Sequence, residues 1–285
     1  MKRRDFLRHA TFAVGATWMC SKGVAAAPLP QKFGANDTVV LGKTGIRTSR
    51  LAMGTGTNGF GHTSRQSELG VKNLSDLLLN GYDHGLRFFD TADAYGSHPH
   101  VAEALKHVQR DKVTVLTKTW SREPKAARED LDRFRRELGT DYIDVALIHC
   151  VTEADWTTRY RGVMDVFEEA KQKGIIRAHG VSCHSIEALR AAAKSPWVEL
   201  DLVRMNPVGA HMDADPDTVL GVIKEMKAAG KAIVGMKILG QGAMRSRQDE
   251  ALKFALGLGV LDAFTIGAQT KGEQEDLVRR ISAVA

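Results

Sequence analysis

Residues 143–149, Ile-Asp-Val-Ala-Leu-Ile-His, form a short apolar run with one acidic side chain, Asp144. The run lacks strict alternation of polar and apolar residues, which is typical of a parallel strand covered by helices. It extends to residue 150, and seven similar runs occur at residues 50–55, 86–91, 113–119, 176–182, 200–206, 232–238 and 263–267. The sequence therefore predicts eight buried strands.

Stretches with helical periodicity separate these strands. Within residues 160–173 and 217–229, apolar side chains recur every three or four positions, and Gly174 and Gly230 follow as stop signals. Eight strand–helix units of about 30 residues each match an α/β fold of the (β/α)8 TIM barrel type, with eight parallel strands. We expect one barrel domain over residues 38–285.

A doubly wound open sheet is the alternative architecture, and it would place a Gly-rich turn between its first strand and a helix. Residues 54–59, Gly-Thr-Gly-Thr-Asn-Gly, weakly resemble such a turn, but no helical pattern follows promptly. Residues 42–45, Gly-Lys-Thr-Gly, predict the turn of an N-terminal hairpin that caps the bottom of the barrel.

Charge is unevenly distributed along the 285 residues. The net charge is +6, and residues 1–26 contribute five basic residues against one acidic residue. The remainder is nearly neutral and shows no basic stripe, so we expect no nucleic-acid partner. No pair of cysteines has the spacing of metal ligands, so we expect no metal site.

The N-terminal segment has the order of a targeting signal. Residues 2–8, Lys-Arg-Arg-Asp-Phe-Leu-Arg, resemble a twin-arginine export motif, and small residues around Ala26 suit cleavage there. We expect a signal peptide at 1–26, a linker at 27–37, passage through the twin-arginine translocase and a periplasmic or secreted product. The apolar stretch is too short to remain as a membrane span. A basic, disordered N-terminus of a cytosolic protein is the alternative.

Four chemically active side chains follow predicted strands: Asp90, Tyr95, Lys118 and His149. Because the carboxyl ends of parallel barrel strands meet at one face, these side chains can share a pocket. A carboxylate, a phenol, an ammonium and an imidazole together can deliver a proton to a carbonyl oxygen. The leading hypothesis is therefore an enzyme.

Three segments resemble the aldo-keto reductase family: residues 88–96, 138–149 and 174–182. The resemblance extends over about residues 38–280. It implies a TIM barrel that binds NADP(H) and reduces a small-molecule aldehyde or ketone. It also implies that Tyr95 is the general acid, that Lys118 lowers the Tyr95 pKa, that Asp90 orients Lys118 and that His149 binds the substrate carbonyl.

The same resemblance implies a cofactor site along the last four strands and the first. The start of the last helix, with Lys271, would suit a ribose 2′-phosphate. Cys183, Arg204 and Met236 depart from the family pattern. The expected cofactor-binding residues are Gly54, Thr55, Ser182, Cys183, Arg204, Lys237, Leu239, Gly240, Gly267, Gln269, Thr270 and Lys271.

Two other functions remain open at this stage: a cofactor-binding sensor or subunit with little turnover, and oxidation of an alcohol or sugar in the reverse direction. Cys150 and Cys183 are expected to be reduced, with a disulfide as the alternative. Four aromatic residues could line a substrate pocket or pack in the core: Phe60, Trp120, Trp156 and Tyr160.

Overall fold

The computed structural model describes residues 32–284, and the predicted signal at 1–26 lies outside them. The strands are β1 (Thr38–Val40), β2 (Arg47–Ser49), β3 (Leu51–Gly54), β4 (Phe88–Asp90), β5 (Thr114–Thr119), β6 (Ile143–Val151), β7 (Ile176–Cys183), β8 (Leu200–Arg204), β9 (Ala232–Met236) and β10 (Ala263–Ile266). The helices are α1 (Val71–Asp83), α2 (His98–Leu105), α3 (Pro124–Leu138), α4 (Trp156–Arg159), α5 (Arg161–Gln172), α6 (Ile186–Lys194), α7 (Pro216–Ala228), α8 (Gln248–Gly257) and α9 (Lys271–Ala283).

The eight strands β3 to β10 close into a parallel barrel. Each pairs with the next along the chain, and β10 pairs with both β9 and β3. This closure excludes the open sheet and confirms the predicted TIM barrel. Within residues 32–284, no helix is both long and apolar enough to span a membrane.

Side chains alternate between the barrel interior and the layer beneath the helices. In β6, Val145 and Leu147 belong to the interior cluster, whereas Ala146 and Ile148 pack in the outer cluster. Both layers are apolar because both faces of a barrel strand are covered, which explains the near-continuous apolar runs. The next inward position in β6 after Leu147 is His149, at the carboxyl end of the barrel.

The predicted hairpin closes the opposite end. β1 and β2 pair in antiparallel fashion, and Leu41 and Ile46 from the intervening turn join the interior cluster. Gly42 has a φ of +49°, and a Cβ there would lie 2.4 Å from the backbone nitrogen of Ala232. The turn therefore needs glycine for both conformation and space.

Helix boundaries follow the local signals. The expected helix 160–173 is α5 with the short α4 before it, and 217–229 corresponds to α7. Asp215 caps α7 by accepting a hydrogen bond from the Thr218 backbone N–H at 2.9 Å, and Pro216 opens the first turn.

Asp201 is a fully buried carboxyl in the layer between the barrel and the helices. The Cys183 backbone N–H donates to Oδ1 at 3.4 Å, and Oδ2 has no partner among the described residues. Burial raises the pKa of Asp201 to about 7, against the opposing effect of hydrogen bonds from Cys183.

Asp201→Asn is expected to change how stability depends on pH. The carboxyl loses its proton near its ordinary pKa of 3.8 in the unfolded chain but only near pH 7 in the folded protein, so wild-type stability falls as the pH rises between these values. Urea denaturation should show the Asn variant gaining about 2–4 kcal/mol relative to wild type between about pH 4 and pH 8.

Asp144→Asn is the matched control. Asp144 is equally buried, but Arg110 and Arg177 pair with it at 2.8 Å and 2.6 Å. Its removal leaves two arginines without their carboxylate, so this variant should be less stable than wild type at neutral pH. A stability difference between Asp201→Asn and wild type that is the same at every pH would contradict the role of Asp201.

Candidate active site

The structure brings the four predicted catalytic side chains together at the carboxyl end of the barrel. Asp90, Lys118 and His149 point inward from the neighbouring strands β4, β5 and β6, and Tyr95 lies on a 3₁₀ turn, Asp93–Tyr95, after β4. The Tyr95 hydroxyl is 3.4 Å from the Lys118 ammonium and 3.5 Å from Nε2 of His149.

Lys118 is a fully buried cation whose partners all lie within the site. Its ammonium donates to Oδ1 of Asp90 at 2.6 Å and to the Thr91 carbonyl at 2.7 Å. The other oxygen of Asp90 accepts a hydrogen bond from the Thr265 hydroxyl at 2.8 Å, across the closure of the barrel. Burial opposes the charge on Lys118, but Asp90 and Tyr95 outweigh it and raise the Lys118 pKa above its ordinary value.

The surroundings of Tyr95 favour its protonated phenol. Burial raises its pKa above the ordinary value, and Asp90 adds to the rise, while the charge of Lys118 pulls in the opposite direction. The effect of Lys118 therefore has the expected sign, but burial is larger. A phenol in this state can donate a proton at neutral pH, and Lys118 stabilises the phenolate that remains.

Two glycines account for the burial of Tyr95. A Cβ at Gly56 or at Gly59 would lie 2.2 Å from a carbon of the Tyr95 ring. The backbone of this segment thus packs directly against the ring, which only glycine permits. The Gly-rich stretch that weakly resembled a nucleotide-binding turn serves to cover Tyr95.

The surroundings of His149 favour its neutral imidazole. Burial lowers its pKa well below the ordinary value, and the nearby charges of Lys118 and Arg122 act in the same direction. Nε2 faces the Tyr95 hydroxyl, and Nδ1 is buried with no partner among the described residues. The Trp120 ring lies 5.3 Å from the imidazole and is 42% exposed, so it forms the wall between His149 and solvent.

An ion-pair cluster fixes the turn that carries Tyr95. Arg133 on α3 donates to Asp93 at 2.7 Å and to Glu137 at 2.9 Å, and His98 contacts Glu137 at 2.7 Å. Because Arg133 bridges Asp93 on the turn and Glu137 on α3, this cluster supports the turn. The sequence analysis missed it, since its members meet only when α3 packs against α2.

Ser182 lies on the side of the mouth where the sequence predicts a cofactor. Its side chain is fully buried at the inward end of β7, and its hydroxyl has no hydrogen-bond partner among the described residues. Such an orphaned group fits the amide of a nicotinamide ring. Cys183, by contrast, packs in the outer cluster and contacts Asp201, so its side chain faces away from the mouth.

The same side of the mouth also contains Arg204, Met236 and Lys237. Arg204 forms an ion pair with Asp213, and Met236 belongs to the interior cluster. Burial and the charge of Arg204 lower the Lys237 pKa. Lys237 donates to Gln241 at 2.9 Å, in the loop of Leu239 and Gly240 that was expected near a pyrophosphate.

The remaining predicted cofactor-binding residues lie at the end of β3, the first barrel strand, and around the start of α9. Gly54 ends β3, and the Thr55 hydroxyl donates to the backbone carbonyl of Asp90 at 2.9 Å. Gly267, Gln269, Thr270 and Lys271 lie between β10 and the first turn of α9.

The aromatic and cysteine residues separate into two groups. Phe60 and Trp120 are exposed at the mouth, whereas Trp156 and Tyr160 are buried.

A cleft of about 400 Å³ lies beside His149 and is lined by Trp120, Arg122, Glu123, Cys150, Thr152, Glu153, Arg159 and Tyr160. Cys150 and Cys183 are free thiols, and Sγ of Cys150 lies 3.0 Å from Nδ1 of His184.

Comparison with known proteins identifies the family. The sequence profile of the Aldo/keto reductase family matches residues 51–255. The chain belongs to this family. Its members are oxidoreductases, and the resemblance found in the sequence is confirmed.

Curated relatives of this reductase family cover part of the chain. The NADH-specific methylglyoxal reductase of Escherichia coli is 28% identical over 189 residues, which are 58% of this chain and 57% of that protein. The NADPH-dependent codeinone reductase 1-3 of Papaver somniferum is 31% identical over 189 residues, 58% of this chain and 56% of that protein. The matches thus span little more than half of each relative.

Solved structures show the same fold over most of the chain. An aldo-keto reductase from Bacillus halodurans, in its holo form, superposes with a TM-score of 0.71 at 18% identity, covering 86% of this chain and 90% of that one. A Pseudomonas aeruginosa protein gives a TM-score of 0.74 at 20% identity, covering 89% and 98%.

Gly59→Ala is expected to displace Tyr95, because the added methyl group and the ring cannot occupy the same space. A crystal structure of the variant should show the Tyr95 hydroxyl moved from its 3.4 Å contact with Lys118. Gly221→Ala on α7, where a Cβ meets no atom within 4 Å, is the control and should leave the site unchanged. An undisturbed Tyr95 in Gly59→Ala would refute the covering role of the glycine segment.

Proposed function

We propose that this protein is a nicotinamide-dependent oxidoreductase that reduces an aldehyde or ketone to an alcohol. The observation that supports this proposal best is the position of the Tyr95 hydroxyl. It lies 3.4 Å from the buried ammonium of Lys118 and 3.5 Å from the imidazole of His149. These groups supply a proton donor, a charge that stabilises the resulting phenolate and a hydrogen-bond donor for a carbonyl oxygen.

The residues of the chain would act in a fixed order on a carbonyl substrate. His149 donates a hydrogen bond from Nε2 to the carbonyl oxygen and holds it beside Tyr95. A nicotinamide dinucleotide, held at its amide by the Ser182 hydroxyl, would supply the hydride when bound. Tyr95 transfers its hydroxyl proton to the oxygen as negative charge develops there. Lys118, held by Asp90, stabilises the phenolate until a solvent proton restores the phenol.

The raised pKa of Tyr95 favours the reducing direction. Reduction uses the protonated phenol, whereas alcohol oxidation needs the phenolate as a base, which burial disfavours near neutrality. Oxidation of an alcohol or sugar would therefore require more alkaline conditions. Alcohol or sugar oxidation is therefore the second candidate function.

The cofactor class is supported by the orphaned Ser182 hydroxyl and by the family. The finer expectation of NADP(H) is supported by Lys271 at the start of α9 and by the Papaver somniferum relative, whose name specifies NADPH. The Escherichia coli relative, whose name specifies NADH, points the other way.

Tyr95→Phe is expected to lower turnover by about 10²-fold or more, because the variant has no proton to donate. The full chain would be assayed with methylglyoxal and other small aldehydes, following oxidation of the reduced dinucleotide. Dinucleotide binding should persist, since the ring itself remains. Tyr142→Phe, whose ring stacks with Arg110 away from the mouth, is the control.

Two outcomes would change the assignment. Retained turnover in Tyr95→Phe would remove Tyr95 from its acid role. Binding of the dinucleotide by wild type without turnover of any carbonyl would support the sensor or subunit with little activity.

We further propose that residues 1–26 direct export through the twin-arginine translocase, on the strength of the Arg3-Arg4 pair and the segments that follow it. Replacing both arginines by lysine should trap the protein in the cytoplasm, as measured by cell fractionation. An unchanged distribution between fractions would reject the signal.

A further inference from the structure

Strand β6 contains one extra residue at its carboxyl end. The three steps along β6 from Ile148 to Val151 face only two steps along β7, so the register between the strands shifts there. This irregularity is a β-bulge formed by His149 and Cys150. Cys150 has a φ of +55°, in the left-handed region that residues with a side chain rarely adopt. The surroundings of the bulge must therefore stabilise it.

The guanidinium of Arg122 contacts the backbone of this bulge. Its Nη2 donates a hydrogen bond to the His149 carbonyl at 2.6 Å and lies 3.5 Å from the carbonyl oxygen of Cys150. Its Nη1 donates to the carbonyl of Trp120, just beyond β5, at 3.2 Å. A charged donor forms a stronger hydrogen bond than a neutral one. One side chain therefore joins the ends of β5 and β6.

Two aromatic rings fix the position of Arg122. Its guanidinium lies 4.8 Å from the centre of the Tyr160 ring and 5.8 Å from that of Trp120. Tyr160 is buried, and the Trp120 ring lies 5.3 Å from the imidazole of His149. Stacking on aromatic rings favours one placement of the planar guanidinium. Arg122 thus contacts both the backbone that carries His149 and the ring that shields it from solvent.

The charges of the cleft beside His149 do not favour an anionic ligand on Arg122. Among the lining residues, Arg122 and Arg159 are basic and Glu123 and Glu153 are acidic, so their formal charges cancel. The hydrogen bonds of Arg122 are directed at main-chain carbonyls of the barrel mouth. Its donors are therefore accounted for by the backbone.

We propose that Arg122 is a positioning residue, which holds the bulge of β6 in the conformation that directs His149 toward the substrate carbonyl. The inference rests on the proposed function, in which His149 donates a hydrogen bond to that carbonyl. A β-bulge bends its strand and redirects the side chains that it carries. Nε2 of His149 lies 3.5 Å from the Tyr95 hydroxyl, so a small movement of the bulge would separate two groups that act on the same oxygen.

Arg122→Met removes the hydrogen bonds and the charge but keeps an unbranched side chain. Because a misplacement of about 1 Å can cost about 10²-fold, kcat for reduction of methylglyoxal by the full chain should fall by about 10- to 100-fold. The affinity for the reduced dinucleotide, measured by calorimetric titration, should stay unchanged. Arg122→Lys keeps the charge and a donor, so it should recover part of the lost turnover.

Arg128→Met is the matched control, because Arg128 is a half-exposed arginine on α3 that pairs with Glu169 of α5 at 2.6 Å. It should leave the kinetic constants unchanged. The charge of the substrate provides a second comparison. A positioning role predicts the same loss in Arg122→Met for methylglyoxal, which is neutral, and for succinic semialdehyde, which carries a carboxylate.

A crystal structure of Arg122→Met tests the bulge without any need for turnover. Nε2 of His149 should have moved from its 3.5 Å contact with the Tyr95 hydroxyl. An imidazole that stays in place, or a loss of turnover confined to succinic semialdehyde, would overturn the positioning role and leave the reductase function standing. Failure of wild type to reduce any carbonyl would overturn the proposed function, and the role of Arg122 with it.

Discussion

The buried ion pair between Lys118 and Asp90 is the constraint on which the active site depends. Removing an ammonium from water costs several kcal/mol, so the charge persists only because Asp90 and the Thr91 carbonyl surround it. Asp90 in turn is held by Thr265 from the strand that closes the barrel. Closure of the barrel and positioning of the proton donor are therefore coupled, since both depend on the same few atoms.

The strands and the four candidate catalytic residues could be predicted because their signals are local. An apolar run predicts a strand, and the polar residue at its end, Asp90, Lys118 or His149, marks the carboxyl end of the barrel. The cover over Tyr95 could not be predicted in this way, since Gly56 and Gly59 lie 39 and 36 positions away in the chain and meet the ring only after folding. The Tyr95 pKa could not be predicted either, because the opposing effects of burial and of Lys118 depend on contacts that form only after folding.

The start of α9 shows a signal that was present in the sequence but interpreted only in part. Thr270 followed by Glu273 has the spacing of a capping box, which predicts where the carboxylate will lie. Lys271 suggested an anion site at this helix start, but the structure also places the Glu273 carboxylate there, where it accepts a hydrogen bond from the Gln269 backbone N–H at 2.8 Å. The two predicted cofactor positions thus differ: Ser182 has an unused hydroxyl, whereas the start of α9 carries a carboxylate.

The glycine backbone against Tyr95 also sets the direction from which the hydroxyl can be reached. With one side of the phenol covered by Gly56 and Gly59, the hydroxyl is approachable mainly from the side of His149 and Trp120. Access to the most reactive proton of the mouth is thus controlled by two residues that have no side chains.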